Sequence, residues 1–196
     1  HTWNNIDGQD GGNDYWRGSC TYKTSFAAPA FDPAAQQVWL QFEGVGDSAK
    51  VSLNGTEIAN HDGGFSTFRV DITALLKEQN ELTVIADNSK NDFVYPQKAD
   101  FTFYGGIYRP VHLLVVPKAH FALDYHGAPG LRITPVLSAD LKTAEIHAEA
   151  WVTGTAQSVQ FTLGEETLSA PVTDGKAECT FKLENVHLWD GVNDPY

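Results

Sequence analysis

Methionine is absent from the 196 residues, and cysteine occurs only twice, at Cys20 and Cys179. Two cysteines this far apart supply no metal-ligand spacing and no disulfide framework, and they read as buried or half-buried thiols. Basic residues are scarce as well. Thirteen Lys and Arg stand against 25 Asp and Glu, a formal net charge of −12. The imbalance is shared along the chain, with 8 basic and 14 acidic side chains before residue 118 and 5 and 11 from there on. No basic stripe is left to neutralise phosphates, which argues against nucleic acid and anionic membranes as partners and leaves neutral molecules such as sugars acceptable. No apolar run approaches a membrane span, and no signal peptide is recognisable. The chain opens on His1 without any Met, so the expectation is that a natural amino terminus lies upstream and that compartment is not encoded here.

What is present is hydrophobic and aromatic, at 42% and 12% of residues, enough for real cores. The periodicity is that of strands. Cys20, Tyr22, Thr24 and Phe26 alternate with Thr21, Lys23 and Ser25, and Val38, Leu40 and Phe42 alternate with Trp39, Gln41 and Glu43. Ala49–Leu53 runs into Asn54-Gly55, a strong hairpin signal, and Thr56–Ala59 returns. Glu81–Ala86 and Val111–Val116 are further strands. Asp71–Lys77 reads as the one helical turn, with Asp71 as its cap. Pro117-Lys118 marks a boundary, giving domains over 1–117 and 118–196. Beyond it, Phe121–Tyr125, Leu131–Leu137, Ala144–Thr153, Ser158–Leu163 and Lys176–Leu183 predict five short strands. The fold class is therefore all-β: an antiparallel sandwich, then an immunoglobulin-like sandwich that lacks its final strands. An incomplete sandwich is expected to expose an apolar face or to borrow strands by forming a homo-oligomer.

Several segments, in a fixed order, resemble a known family. They are His1-Thr2-Trp3-Asn4, Tyr15-Trp16-Arg17-Gly18, Phe42-Glu43-Gly44-Val45, Val51-Ser52-Leu53-Asn54-Gly55, His61-Asp62-Gly63-Gly64-Phe65, Phe68-Arg69-Val70-Asp71-Ile72-Thr73 and, most specific, Tyr104-Gly105-Gly106-Ile107-Tyr108-Arg109-Pro110-Val111. Together they resemble the amino-terminal region of glycoside hydrolase family 2, which includes β-galactosidases and β-glucuronidases. In the second half, Leu188-Trp189 and Asn193-Asp194-Pro195-Tyr196 resemble that family's immunoglobulin-like domain. The resemblance implies a jelly-roll, galactose-binding-like first domain and a carbohydrate partner of the β-galactoside type. Family habit adds a secreted or periplasmic setting.

Hydrolysis of a glycoside needs two carboxyl groups, one protonated and one acting as nucleophile or base. The resemblance places both on a later barrel domain, and nothing here alternates strands with long amphipathic helices. The chain alone is therefore expected to be inactive, with no catalytic residue and no cofactor of its own, while its parent would bind divalent or monovalent cations elsewhere. Of the carboxylates Glu43, Asp47, Asp100, Glu165 and Glu166, the family singles out Asp100, whose counterpart in β-galactosidases reaches the active site and holds sugar and ions. Asn13 and Asp14 are the nearest matches to a second sugar contact. Arg109, beside Tyr104 and Tyr108, reads as a cation–π or carbonyl clamp. The aromatics Phe93, Tyr95, Phe101, Phe103, Tyr104 and Tyr108 suit either sugar rings or packing against another domain. The competing readings are an autonomous carbohydrate-binding module and a structural β-protein without ligand.

Overall fold

The computed structural model describes residues 17–94 and 105–194. It divides into two compact units, His1–Pro117 and Lys118–Tyr196. In the first, β1 (Ser19–Ala27), β2 (Gln36–Phe42), β3 (Val45–Gly46), β4 (Ser48–Leu53), β5 (Thr56–Asp62), β6 (Phe68–Asp71), β7 (Gln79–Asp87), β8 (Gly106–Ile107) and β9 (Val111–Pro117) form antiparallel sheets. One sheet runs β1-β7-β4-β5 and the facing one β6-β2-β9, with β3 and β8 paired apart from both.

The alternation read from the sequence sets the faces. Val38, Leu40 and Phe42 of β2 meet Ala49, Val51 and Leu53 of β4 and Leu82, Val84 and Ala86 of β7, and all are buried. Phe42 lies flat on Phe68, ring centroids 4.7 Å apart. Trp39 departs from the simple pattern. It points to the opposite face of β2 from Phe42, yet it is buried too, so this strand is covered on both sides at that level. At the far edge, Val111, Leu113 and Val115 of β9 stand opposite Phe42, Leu40 and Val38 but are each 37% exposed. A cavity of about 380 Å³ opens there, between β9 and Tyr22 and Phe26 of β1.

The expected helical turn shrinks to a three-residue 3-10 turn, Thr73–Leu75, rather than extending to Lys77. Asp71 Oδ1 accepts from Thr73 N (2.9 Å) and from its hydroxyl (2.6 Å), and this local competitor to helix closes the turn. Ile72 beneath it is fully buried. Asn54 occupies the left-handed region (φ 52°) in the β4–β5 turn. Its side chain donates to Leu75 O (3.0 Å) and to Asn80 Oδ1 (3.0 Å) and accepts from Glu81 N (3.0 Å). The buried Asn80 completes this knot through Lys77.

In the second unit, β10 (His120–Phe121), β11 (Leu131–Leu137), β12 (Thr143–Thr153) and β15 (Lys176–Glu184) form one sheet, in which β12 pairs with each of the others. A hairpin of β13 (Ser158–Leu163) and β14 (Glu166–Pro171) covers β12 and β15. The expected strand Phe121–Tyr125 is shorter than read. It ends at Phe121, because Ala128 N bonds Tyr125 O (2.8 Å) and the chain turns. The strand β14 was not anticipated. Ala148, Ala150, Ala170 and Ala177 line a core of small side chains beneath Phe161 and Phe181. Leu131, Ile133 and Leu137 face the same way as Ala150, Ala148 and Ala144, yet they are exposed, Ile133 by 58%. Nothing among the described residues covers β11.

Candidate functional site

At one end of the first sandwich, three turns carrying the conspicuous glycine motifs converge. The β3–β8 pair sets Val45 against Ile107 and Gly46 against Gly106. The Gly46–Asp47 peptide is cis. Tyr108 lies so close over Gly44 that a Cβ there would sit 2.9 Å from its ring, and a Cβ on Gly105 would meet Asn88 at 2.6 Å. Glycine at these positions is thus a steric demand of two chain segments touching.

Tyr108 donates its hydroxyl to Gly64 O (2.5 Å) and meets Phe65 edge-on at 6.3 Å. Burial, with the neighbouring carboxylate of Asp47 adding to it, raises the Tyr108 phenol; Arg109 opposes. Arg109 Cζ sits 5.3 Å from the Tyr108 ring centroid, and its Nη1 reaches Phe65 O at a long 3.5 Å. Both clamping modes read from the sequence are therefore present, joining the 105–110 and 61–66 segments. His61 stacks on Phe68 at 4.3 Å and shares a hydrogen bond with Ser66 Oγ (2.9 Å). Burial pulls the His61 imidazole below its ordinary value. Gly64 is buried and Phe65 exposed, so the platform presents an aromatic edge to solvent.

Among the described residues the carboxylates do not assemble into a catalytic pair. Glu43 engages His112 Nε2 at 3.0 Å. Asp47 is buried; its backbone N donates to Asp87 O (2.8 Å) and its carbonyl accepts from Gly63 N (3.0 Å). Glu165 and Glu166 are exposed at the β13–β14 turn. Asp87 accepts from Ser19 Oγ and from Ser89, which holds it below the usual carboxylate range. In the second unit, Glu149 bonds Arg132 and Lys176 and is lowered to about 2. A general acid must instead keep its proton near neutral pH. Among the described residues no cluster of three or more His, Cys, Asp or Glu could hold a metal. No helix among them is long and apolar enough to cross a membrane. Asp100, Asn13 and Asp14, together with Tyr95, Phe101, Phe103 and Tyr104, lie outside the described residues. Residues Val94 and Gly105, which flank the stretch carrying Asp100, belong to the first unit.

A β-sandwich with a glycine-built loop platform and, among the described residues, no catalytic carboxylate pair is the class that fold and site define. The comparisons name it. Residues 11–125 match the family described as glycosyl hydrolase 2 galactose-binding domain-like. The chain belongs to that family. A β-glucuronidase of Bacteroides fragilis is 34% identical over 197 residues, covering 98% of this chain and 27% of its own length. The β-galactosidase large subunit of Leuconostoc lactis is 26% identical over 160 residues, covering 79% of this chain and 24% of its own. The crystal structure of an FMN-binding β-glucuronidase from Faecalibacterium prausnitzii L2-6 superposes with a TM-score of 0.77 at 36% identity, over 96% of this chain and 30% of that one. The chain thus spans about a quarter to a third of the relatives it matches.

Proposed function

We propose that this chain is the non-catalytic front region of a longer β-galactosidase- or β-glucuronidase-like glycosidase, whose sandwich supports and partly lines an active site built by residues outside the 196. The observation that carries this reading is the match across 11–125 within relatives three to four times longer. The two catalytic carboxyls reside elsewhere in the longer protein, and the reaction proceeds with retention through a covalent glycosyl intermediate. Asp100 contributes sugar hydrogen bonds as a carboxylate acceptor, with Asn13 and Asp14 near the same pocket. Any cation that assists sugar binding is bound by the remainder of the enzyme, with Asp100 helping to hold it.

The test compares the 196-residue chain with the full-length gene product on chromogenic β-galactoside and β-glucuronide. The expected result is hydrolysis by the longer protein alone, with the first-formed sugar retaining its anomeric configuration by NMR. In the longer protein, Asp100→Asn is expected to raise KM about tenfold or more. Turnover by highly purified short chain would overturn the reading.

A further inference from the structure

A second place on the first unit has the chemistry of a sugar subsite. On the outward face of the β1-β7-β4-β5 sheet, Ser48, Asp62 and Asp87 form one row across three strands, and Lys50, Asn60 and Ile85 form the next. These rows floor an open groove of about 550 Å³ whose wall is the 89–93 loop. Phe93 stands in that wall, 91% exposed. One exposed phenylalanine is ordinary on a protein surface. What distinguishes this one is how firmly its loop is tied. Asn88 is buried and accepts from Gly18 N (2.9 Å), and Ser89 N donates to Asp87 (2.7 Å). Asn91 donates to Ser48 Oγ (3.2 Å) and accepts from Phe93 N (2.9 Å), and Val94 is buried immediately afterwards. The backbone that carries the ring is therefore anchored on both sides, so the loop itself need not be ordered when a ligand binds.

We propose that this groove binds a neutral pyranosyl oligosaccharide, with Phe93 stacking on the C–H face of one ring and Asn60 and Asp62 hydrogen-bonding its hydroxyls. The inference rests on the glycoside-processing reading above, but it concerns a binding site on this chain and not hydrolysis. Amphipathic rings suit a surface that sets an exposed aromatic and Ile85 beside amides and a carboxylate. The volume falls in the range of about 300–1,000 Å³ usual for ligand sites. Charge selects among sugars. Lys50 is engaged by Glu57 at 2.8 Å, and Asp62, Asp87 and Asp92 outnumber Lys50 and Lys90. A uronate would meet net repulsion, whereas a neutral ring would not.

The experiment titrates the ¹⁵N-labelled 196-residue chain with cellotetraose, xylotetraose and β-1,4-galactotetraose. The signals followed are the side-chain amides of Asn60 and Asn91 and the backbone amides of Ser89, Asp92 and Phe93. At least one tetraose is expected to shift these signals saturably. Phe93→Ala should weaken that binding about tenfold or more, while leaving the thermal melt unchanged. Asn60→Ala, at an exposed position, should weaken it without altering the fold. The absence of saturable shifts with all three sugars, or an affinity that Phe93→Ala leaves intact, would overturn the proposal. Neither result touches hydrolysis by the longer protein, so the two readings fail separately.

Discussion

Strands β2 and β11 follow the same alternating rule and end in opposite states. In β2, Val38, Leu40 and Phe42 are sealed between facing sheets, and even Trp39 on the reverse face is buried. In β11, Leu131, Ile133 and Leu137 alternate as regularly but lie open to solvent, because the β13–β14 hairpin reaches only β12 and β15. Alternation states which side chains share a face. Whether the face is covered depends on how many strands stand opposite, and that is a property of the assembled sheets. The cores differ correspondingly: large aliphatic and aromatic side chains in the first unit, and alanines beneath two phenylalanines in the second.

The sharpest way to break this comparison is to cut into both faces. Phe42→Ala, fully buried and stacked on Phe68, should cost about 3–5 kcal/mol in denaturant unfolding of the first unit. Ile133→Ser should change stability by no more than about 0.5 kcal/mol. A loss near 2 kcal/mol at Ile133 would mean that the face is covered in solution, and sedimentation velocity over a dilution series would then reveal an oligomer. Next in size is Gly154→Ala. Its φ is +77° and a Cβ would stand 2.2 Å from Lys118 O, so the second unit should lose more than about 2 kcal/mol in thermal unfolding. Tyr108→Phe removes the bond to Gly64 O and should cost about 1 kcal/mol, read from the melt of the first unit.

The smallest effect concerns pH. Glu149 falls from an ordinary value of 4.5 to about 2, because its bonds to Arg132 and Lys176 favour the carboxylate. A depressed folded-state value means that the contribution is complete above 4.5 and is lost as pH falls towards 2. Stability of Glu149→Gln should therefore depend less steeply on pH across that window, the variant lying below the parent at neutral pH and converging on it as pH falls towards 2. An identical slope for the two proteins would remove the network from the account.

Much of the architecture could be read directly from the residues. The alternation in Ser19–Phe26, Val38–Phe42 and Glu81–Ala86 marked strands within a residue or two of their ends, and Asn54-Gly55 marked its hairpin. β14 escaped because Glu-Thr-Leu-Ser-Ala-Pro has little β-branched or aromatic content, and it pairs only because Gly164 turns β13 back on itself. Phe121–Tyr125 ends as a strand at Phe121 because local turn bonds, His126 N to Asp124 O and Ala128 N to Tyr125 O, outweigh its strand propensity. The Arg109 clamp was legible from adjacent Tyr and Arg, while its acceptor, Phe65 O, could come only from the fold. The groove beside Phe93 went unread for a similar reason. Asn60, Asp62 and Phe93 are brought together by register across β4, β5 and β7 and by no local pattern.

The knot around Asn54 bears on how the protein ages. In a flexible chain an asparagine followed by glycine is a site of spontaneous damage, since the glycine nitrogen can attack the side-chain amide carbon and expel ammonia. Here that amide gives its protons to Leu75 and Asn80 while its oxygen is held by Glu81 N. The same three bonds that fasten the hairpin to the start of β7 also restrain the amide from turning towards Gly55. Chemical lifetime at this turn is thereby linked to foldedness: the Asn54-Gly55 site decays at the pace of the unfolded fraction, and any change that loosens the first sandwich shortens the molecule's shelf life as well as its stability.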